Sequence, residues 1–371
     1  MYTHLFSPII VGGRDLDNRI VMAPLYLGYA GEGGAVTQLL LEHYRLMAQS
    51  TAAMITVENA AVDFSVGRGS KRTIRIDTDE NMSGLTELAD AIKREGALAC
   101  IQINHAGRFA GVRDPVAPSA VETFGRTPRA LTLDEIRRIR DQFMDAARRA
   151  KAAGFDMVEL HGGTGYLLAQ FTSPRTNQRE DEYGGSLENR MKFPLEVLSG
   201  VRDALGDYPV GYRLLADEFL PDGLQLEEGQ QVARALSDAG AAYLSVMGGT
   251  YESFMKAEIL EKSKTEGYMA DLSEAVRKHV QVPVVTAGRI SSGRTAETIL
   301  ESGQADLVGL ARVLWADPQW PRKVREGREE EIIHCDPACE DVCMQLVMQG
   351  KPAYCTQWPP EKTRRFKDMF E

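Results

Sequence analysis

Residues 132–166 read TLDEIRRIRDQFMDAARRAKAAGFDMVELHGGTGY, and this stretch decides the fold. Thr132 is placed to cap a helix and Glu135 to complete a capping box, in which side chains satisfy the free N–H groups of the first turn. Ile136, Ile139, Phe143 and Ala147 follow at three-to-four spacing, with Arg137, Arg138, Arg148 and Arg149 on the watered side. That period predicts an amphipathic helix over 133–152. Gly154 ends it, since glycine tolerates the left-handed terminal conformation. A short apolar run, Met157–His161, follows as a strand, and glycines then turn the chain.

The same alternation runs outward in both directions. Further strands are expected at Arg19–Ala23, Ala53–Val57, Leu98–Asn104, Val210–Leu215, Tyr243–Val246, Val284–Thr286 and Leu307–Gly309. They are mostly apolar throughout, as strands buried on both faces should be. Helical patterns fall at about 37–48, 83–95, 189–205, 227–239, 271–280, 294–302 and 318–327. Eight strand–helix units predict a (β/α)8 barrel over residues 1–330. A doubly wound sheet shares the alternation, but no Gly-x-Gly-x-x-Gly follows an early strand. Phe6–Ser7–Pro8 and Gly12–Gly13 suggest a hairpin capping the barrel floor. Residues 331–371 lie beyond the last helix as a cysteine-rich extension.

The 371-residue chain carries 43 Lys and Arg against 53 Asp and Glu, a net charge of −10, with 43% hydrophobic residues. This is a globular composition, acidic and without a basic block, which argues against nucleic acid. No apolar run approaches the length of a membrane span. The start, MYTHLFSPII, lacks the basic-then-apolar pattern of a signal peptide, so a cytoplasmic protein is expected.

In such a barrel the chemistry sits where strands end at their C-terminal side. Ala23–Pro24–Leu25–Tyr26 follows the first strand. Gln102 and Asn104 alternate onto one side of the third, where an amide could pair with the edge of a heteroaromatic ring or simply join a rim network. After the fourth come His161, Thr164 and Tyr166 among glycines. His161 can donate to a carbonyl oxygen, and Tyr166 is a weak acid suited to delivering one proton. Arg213 lies within an apolar strand and needs an anion; Asp217 or Glu218 could serve structurally. Gly288 and Arg289 follow the seventh strand, Ala311 and Arg312 the eighth, which is where barrels bind phosphate.

Cys335, Cys339, Cys343 and Cys355 fall within 21 residues. Four soft thiolates suit zinc or an iron–sulfur cluster, and three close cysteines with a distant fourth lean towards iron–sulfur. Cys100, alone in an apolar strand, is read as inert core.

The chain resembles the Old Yellow Enzyme (NADH:flavin oxidoreductase) family. The likeness rests on Phe6–Ser7–Pro8, Asn18-to-Pro24, Gln102-to-Arg108, Gly154–Phe155–Asp156 leading to His161, Ser173-to-Arg179, Asp181-to-Ser186 with Asn189–Arg190, and the last two strand loops. The cysteine tail is similar to that of the branch holding 2,4-dienoyl-CoA reductase and trimethylamine dehydrogenase, which implies a [4Fe–4S] cluster on the four cysteines. The resemblance implies FMN at the barrel mouth, against Ala23, Pro24, Leu25, Tyr26, Gln102 and Arg213, with its phosphate at Gly288, Arg289, Ala311 and Arg312. It further implies that Arg213 stabilises the reduced flavin. Donors at His161 and Thr164 would hold an activating carbonyl, and Tyr166 would protonate the α-carbon of the alkene.

Three departures stand out. Many members have His or Asn where this chain has Thr164. The dienoyl-CoA reductases use a His after the sixth strand, near the place of Tyr251 here. That branch also continues into FAD- and nicotinamide-binding domains. This chain stops at Glu371, so electrons are expected from NAD(P)H or from an external flavoprotein or ferredoxin.

The reading is therefore an FMN-dependent ene-reductase acting on an enone or enoyl thioester, with a homo-oligomer compatible. Two rivals are carried. One is an amine dehydrogenase of the trimethylamine dehydrogenase type, with Tyr251, Phe254 and Tyr268 as an aromatic cage. The other is a non-catalytic electron-transfer subunit.

Overall fold

The computed structural model describes residues 2–336, 339 and 341–369. Eight parallel strands close into a barrel: β1 (Ile20–Met22), β2 (Met54–Ala61), β3 (Leu98–Asn104), β4 (Met157–Gly162), β5 (Val210–Asp217), β6 (Leu244–Gly248), β7 (Val284–Thr286) and β8 (Leu307–Leu310). Each pairs with its sequence neighbours, and β8 closes on β1 with Leu310 opposite Met22. The outer layer is α1 (Gln38–Ala48), α2 (Met82–Lys93), α3 (Leu133–Ala152), α4 (Leu187–Leu205), α5 (Leu226–Asp238), α6 (Ala270–Arg277), α7 (Gly293–Glu301) and α8 (Trp320–Glu326).

The capping box that opens α3 is formed on both sides, between Thr132 and Glu135. Its buried face is Ile136, Ile139, Phe143, Ala146, Ala147 and Ala150, as the period requires. The N-terminal hairpin, Ile9–Val11 with Arg14–Leu16, plugs the barrel floor. Its Gly12 is at φ +55°, where an added Cβ would fall 2.6 Å from the Cβ of Pro209. Val11 and Leu16 pack there with Val21, Met54, Met157 and Leu307. The floor is thus sealed, and the opposite end is left for chemistry.

The described part of the extension forms α9 (Val342–Met348) and α10 (Pro360–Asp368). Ala353, Cys355, Trp358 and Phe366 join the same apolar core as the barrel helices. Trp358 meets Trp315 edge-on at 5.2 Å. No helix among the described residues is long and apolar enough to cross a membrane.

Candidate active site

β4 delivers the first group. Its last residue must be glycine, because a Cβ on Gly162 would lie 2.2 Å from the Tyr212 hydroxyl. Thr164 and Gly165 then both take left-handed backbone, φ +58° and +82°, and fold the chain back over the mouth. For Thr164 that conformation is unusual, and such outliers concentrate at functional sites. Its Oγ1 lies 3.5 Å from Met247 Sδ.

His161 is buried, and its Nδ1 accepts the Gly163 N–H at 3.2 Å. Burial, aided by Arg213, pushes its pKa well below the usual imidazole value, so the ring is neutral. A neutral ring that accepts at Nδ1 carries its proton on Nε2, as a donor. Tyr166 stands edge-on to it at 4.8 Å. The Tyr166 and Tyr251 hydroxyls are 2.7 Å apart, sharing one hydrogen bond. Phe109 closes the group, with its ring 5.1 Å from Tyr251 and 6.4 Å from Tyr166. Burial holds the Tyr166 phenol well above its ordinary value, keeping it a proton donor.

After β1, Pro24, Leu25 and Tyr26 are half-buried. The Tyr26 hydroxyl bonds to Ser70 Oγ, and burial lifts its phenol to about 12. Ala23 is tied to the end of β8 through its N–H to Leu310 O at 2.9 Å.

Gln102 and Asn104 both face inward and are buried. Gln102 Nε2 donates to Glu159 Oε1 at 2.7 Å, whereas Asn104 Oδ1 is buried with no protein partner among the described residues. Among the described residues Arg213 donates once, from Nη1 to Ser245 Oγ at 3.1 Å.

The expectation that Asp217 or Glu218 neutralises Arg213 is corrected. The register shifts between Leu215 and Asp217, so alternation fails at that point. Asp217 turns to the Phe219 N–H at 2.7 Å, and Glu218 takes the Ser173 hydroxyl at 2.6 Å. The carboxylate that acts on Arg213 is Glu159. It sits mid-strand in β4, and an acidic residue inside an apolar run was the available signal.

At the phosphate loops Gly288 is at φ +114° and Arg289 at +52°. Arg289 Nε donates to Ser263 O at 2.8 Å. Gly309 is tight against Thr286 O, Ala23 and Ala287, and Thr286 Oγ1 is buried without a protein partner among the described residues. The backbone of Ala311 and Arg312 is at this end of β8, but the Arg312 guanidinium turns away to Asp341.

That turn carries Arg312 into a pocket lined by Cys335, Cys339, Cys343 and Cys355, with Trp315 and Tyr354. All four thiols are free. Burial raises those of Cys335 and Cys355 and lifts Cys343 to about 11, while Arg312 draws Cys335 and Cys343 back down. Among the described residues, no three His, Cys, Asp or Glu groups are gathered as a site for one metal ion. Cys100 is buried at 3.6 Å from the Tyr243 hydroxyl, with its thiol raised by burial, in keeping with an inert core residue.

The aromatics of the loop after β6 fall into two packing clusters. Phe254 and Tyr268 pack on Ala169, Leu215, Met247 and Met269, and Tyr251 turns to Phe109 and Tyr166. What sequence reading missed is the support beneath Tyr251. The neighbouring Glu252 pairs with buried Arg108 at 2.5 Å, and Arg108 also donates to Thr123 at 2.8 Å.

Residues 4–331 match the model of the NADH:flavin oxidoreductase / NADH oxidase family. The chain is 45% identical over 368 residues to an NADH oxidase of Thermoanaerobacter brockii, covering 96% of this chain and 56% of that protein. It is 39% identical over 326 residues to an NADPH dehydrogenase of Geobacillus sp. (strain WCH70), covering 86% and 93%. A solved 2-naphthoyl-CoA reductase in complex with 2-naphthoyl-CoA superposes with a TM-score of 0.92 at 30% identity, over 97% of this chain and 57% of that one. The chain therefore spans a little over half the length of the oxidase and of the reductase.

Proposed function

The chain belongs to the NADH:flavin oxidoreductase / NADH oxidase family, the Old Yellow Enzyme group, and from that premise we propose that it reduces an electron-poor carbon–carbon double bond with FMN. The substrate class is an enone or an enoyl thioester. Electrons come from NAD(P)H or from a flavoprotein or ferredoxin. The named relatives that oxidise NADH or NADPH, and the structural neighbour acting on an aryl thioester, support this reading.

The residues at the mouth fit FMN. Arg213 spends one of its N–H groups within the protein, and Asn104 Oδ1 and Thr286 Oγ1 are buried polar atoms without protein partners among the described residues. The left-handed Gly288–Arg289 turn suits a phosphate. FMN would be held by Ala23, Pro24, Leu25, Tyr26, Gln102 and Arg213, with Gly288, Arg289, Ala311 and the Arg312 backbone at its phosphate. The chemistry it supplies when bound is hydride transfer to the β-carbon.

The chain's own residues do the rest. His161 Nε2–H donates to the substrate carbonyl oxygen and draws charge from the alkene. The Tyr166 hydroxyl gives its proton to the α-carbon, and a proton from solvent restores it by way of Tyr251, along their shared hydrogen bond. Thr164 and Phe109 shape the space above. The observation that carries this reading is the pairing of a Nε2 donor on His161 with the Tyr166 phenol, ring to ring at 4.8 Å.

The four cysteines are assigned to a [4Fe–4S] cluster. A structural zinc needs four sulfurs at about 2.3 Å from one point. The four thiols line one pocket, and three closely spaced cysteines with a distant fourth favour the cluster over zinc. Residues 331–371 then form a cluster-binding extension on a barrel of residues 1–330.

Tyr166→Phe is the test. Turnover of the best alkene should fall by about 100-fold or more with KM little changed, since a lost general acid costs that much. Unchanged turnover would remove Tyr166 as the acid. Wild-type protein that bleaches with a tertiary amine and reduces no alkene would replace this reading with amine oxidation.

A further inference from the structure

Beneath the mouth lies a buried polar group that the proposed reaction does not use. Glu159 is at the middle of β4, in register with Gln102 of β3 and Gly211 of β5. It is 2% exposed, and Gln102 beside it is buried too. Both of its oxygens accept: Oε1 from Gln102 Nε2 at 2.7 Å and Oε2 from the Tyr243 hydroxyl at 2.9 Å. Gly211 makes this possible, since a Cβ there would lie 2.2 Å from the Tyr243 ring. Burial raises the Glu159 carboxyl, while Arg213 and the two donors, which this carboxyl receives without offering one, favour the anion.

Its counter-charge is Arg213, one turn of the pleat nearer the mouth and in register with His161. Arg213 donates to Ser245 and not to Glu159, so the two charges act on each other through space. The guanidinium keeps its remaining N–H groups for the mouth, and the carboxylate stands behind it. Such an arrangement partly cancels the positive charge that the mouth presents. The other titratable groups facing this pair are His161, Tyr243, Cys100 and, towards the mouth, Tyr268.

We infer that Glu159 is a positioning residue that sets, through Arg213, how strongly the site favours reduced over oxidised FMN. This rests on the FMN reading above. Reduction adds negative charge beside Arg213, so removing the carboxylate should favour the reduced form. The effect needs no contact between Glu159 and FMN.

The experiment compares wild type and Glu159→Gln, each loaded with FMN, by potentiometric titration followed in the visible spectrum. Gln keeps the size and one acceptor but not the charge. Reduced FMN should bind about tenfold more tightly relative to oxidised FMN in the variant, a midpoint about 30 mV more positive for the two-electron couple. A merely loosened site would weaken both forms alike and leave the midpoint where it was. FMN bound with an unmoved or more negative midpoint overturns the role of Glu159. Wild-type protein that takes up no FMN overturns the underlying reading instead. If Glu159→Gln does not fold, Tyr243→Phe serves. It removes one hydrogen bond favouring the carboxylate, so the rise of the midpoint on acidification should begin at higher pH than in wild type, and a pH profile identical to wild type also overturns the inference.

Discussion

Glu252→Ala tests the support under Tyr251, because one ion pair joins the loop after β3 to the loop after β6. The Arg108 side chain is 1% exposed and that of Glu252 is 15% exposed, with 2.5 Å between Nη2 and Oε2. Arg108 also lies over the Phe109 ring at 4.6 Å. Truncating Glu252 leaves the guanidinium in place with Thr123 Oγ1 as its remaining side-chain acceptor. Breaking a buried pair in this way costs about 3–5 kcal/mol. Glu252 is partly open to water and also faces Arg175 at 3.5 Å, so screening lowers the expected loss to about 2–3 kcal/mol. Urea unfolding followed by circular dichroism reads that loss directly.

Function should change with it. Tyr251 is the adjoining residue, and its 2.7 Å contact with Tyr166 depends on where this loop sits. Alkene turnover is expected to fall several-fold while FMN affinity holds, since the flavin contacts come from other loops. A loss of stability under about 0.5 kcal/mol would show that Arg108 is solvated once Glu252 is gone, and the strap would carry no weight. Replacing both partners with apolar residues, Arg108→Met with Glu252→Leu, should recover most of the stability, because the cost lies in the orphaned charge.

Two further outcomes are expected. Glu58 is fully buried and, among the described residues, accepts only the Leu27 N–H, at 3.2 Å, and burial raises its carboxyl to about 8. Its folded value lies above the unfolded one, so the stability it contributes is complete below about pH 4.3 and is lost as pH rises towards 8, at about 1.4 kcal/mol per unit. Glu58→Gln should therefore flatten the decline in unfolding free energy between pH 5 and 8; parallel curves for the two proteins would refute this. Cys355→Ala should lose most of its iron and acid-labile sulfide after anaerobic reconstitution while retaining FMN, and iron content equal to wild type would remove Cys355 as a ligand.

Much of this architecture was legible because barrel strands announce themselves. The eight apolar runs and the eight helical periods correspond to β1–β8 and α1–α8, with ends shifted by a few residues. His161 was legible for the same reason, since a polar residue near the end of an apolar run is conspicuous, and Tyr166 was reached through the glycine turn that follows it. Alternation failed where the backbone broke it. The register shift after Leu215 sent Asp217 away from Arg213, and no composition rule marks such a shift. Glu159 carried a signal that went unread, an acidic residue inside the apolar run of β4. The Arg108–Glu252 pair was hidden by 143 intervening residues, a contact that only tertiary structure creates.

The boundary near residue 330, where the family match ends, is not a boundary in the core. Residues 23–30 run from the mouth to the cysteine pocket and are held at each stage. Ala23 N–H is bound to Leu310 O, Tyr26 to Ser70, and Leu27 N–H to Glu58. Leu27 O then accepts the Ala353 N–H at 2.9 Å, and Ala353 O takes the Tyr29 hydroxyl at 2.7 Å. Ala353 is two residues from Cys355. A segment this short, with a hydrogen bond every few residues, has little freedom to absorb a displacement locally. Movement of the extension at Ala353 must shift Leu27, and with it Tyr26 above the mouth. Exchange protection of the Leu27 and Ala353 amides should therefore rise and fall together, and Ala353 exchanging while Leu27 stays protected would separate the two sites.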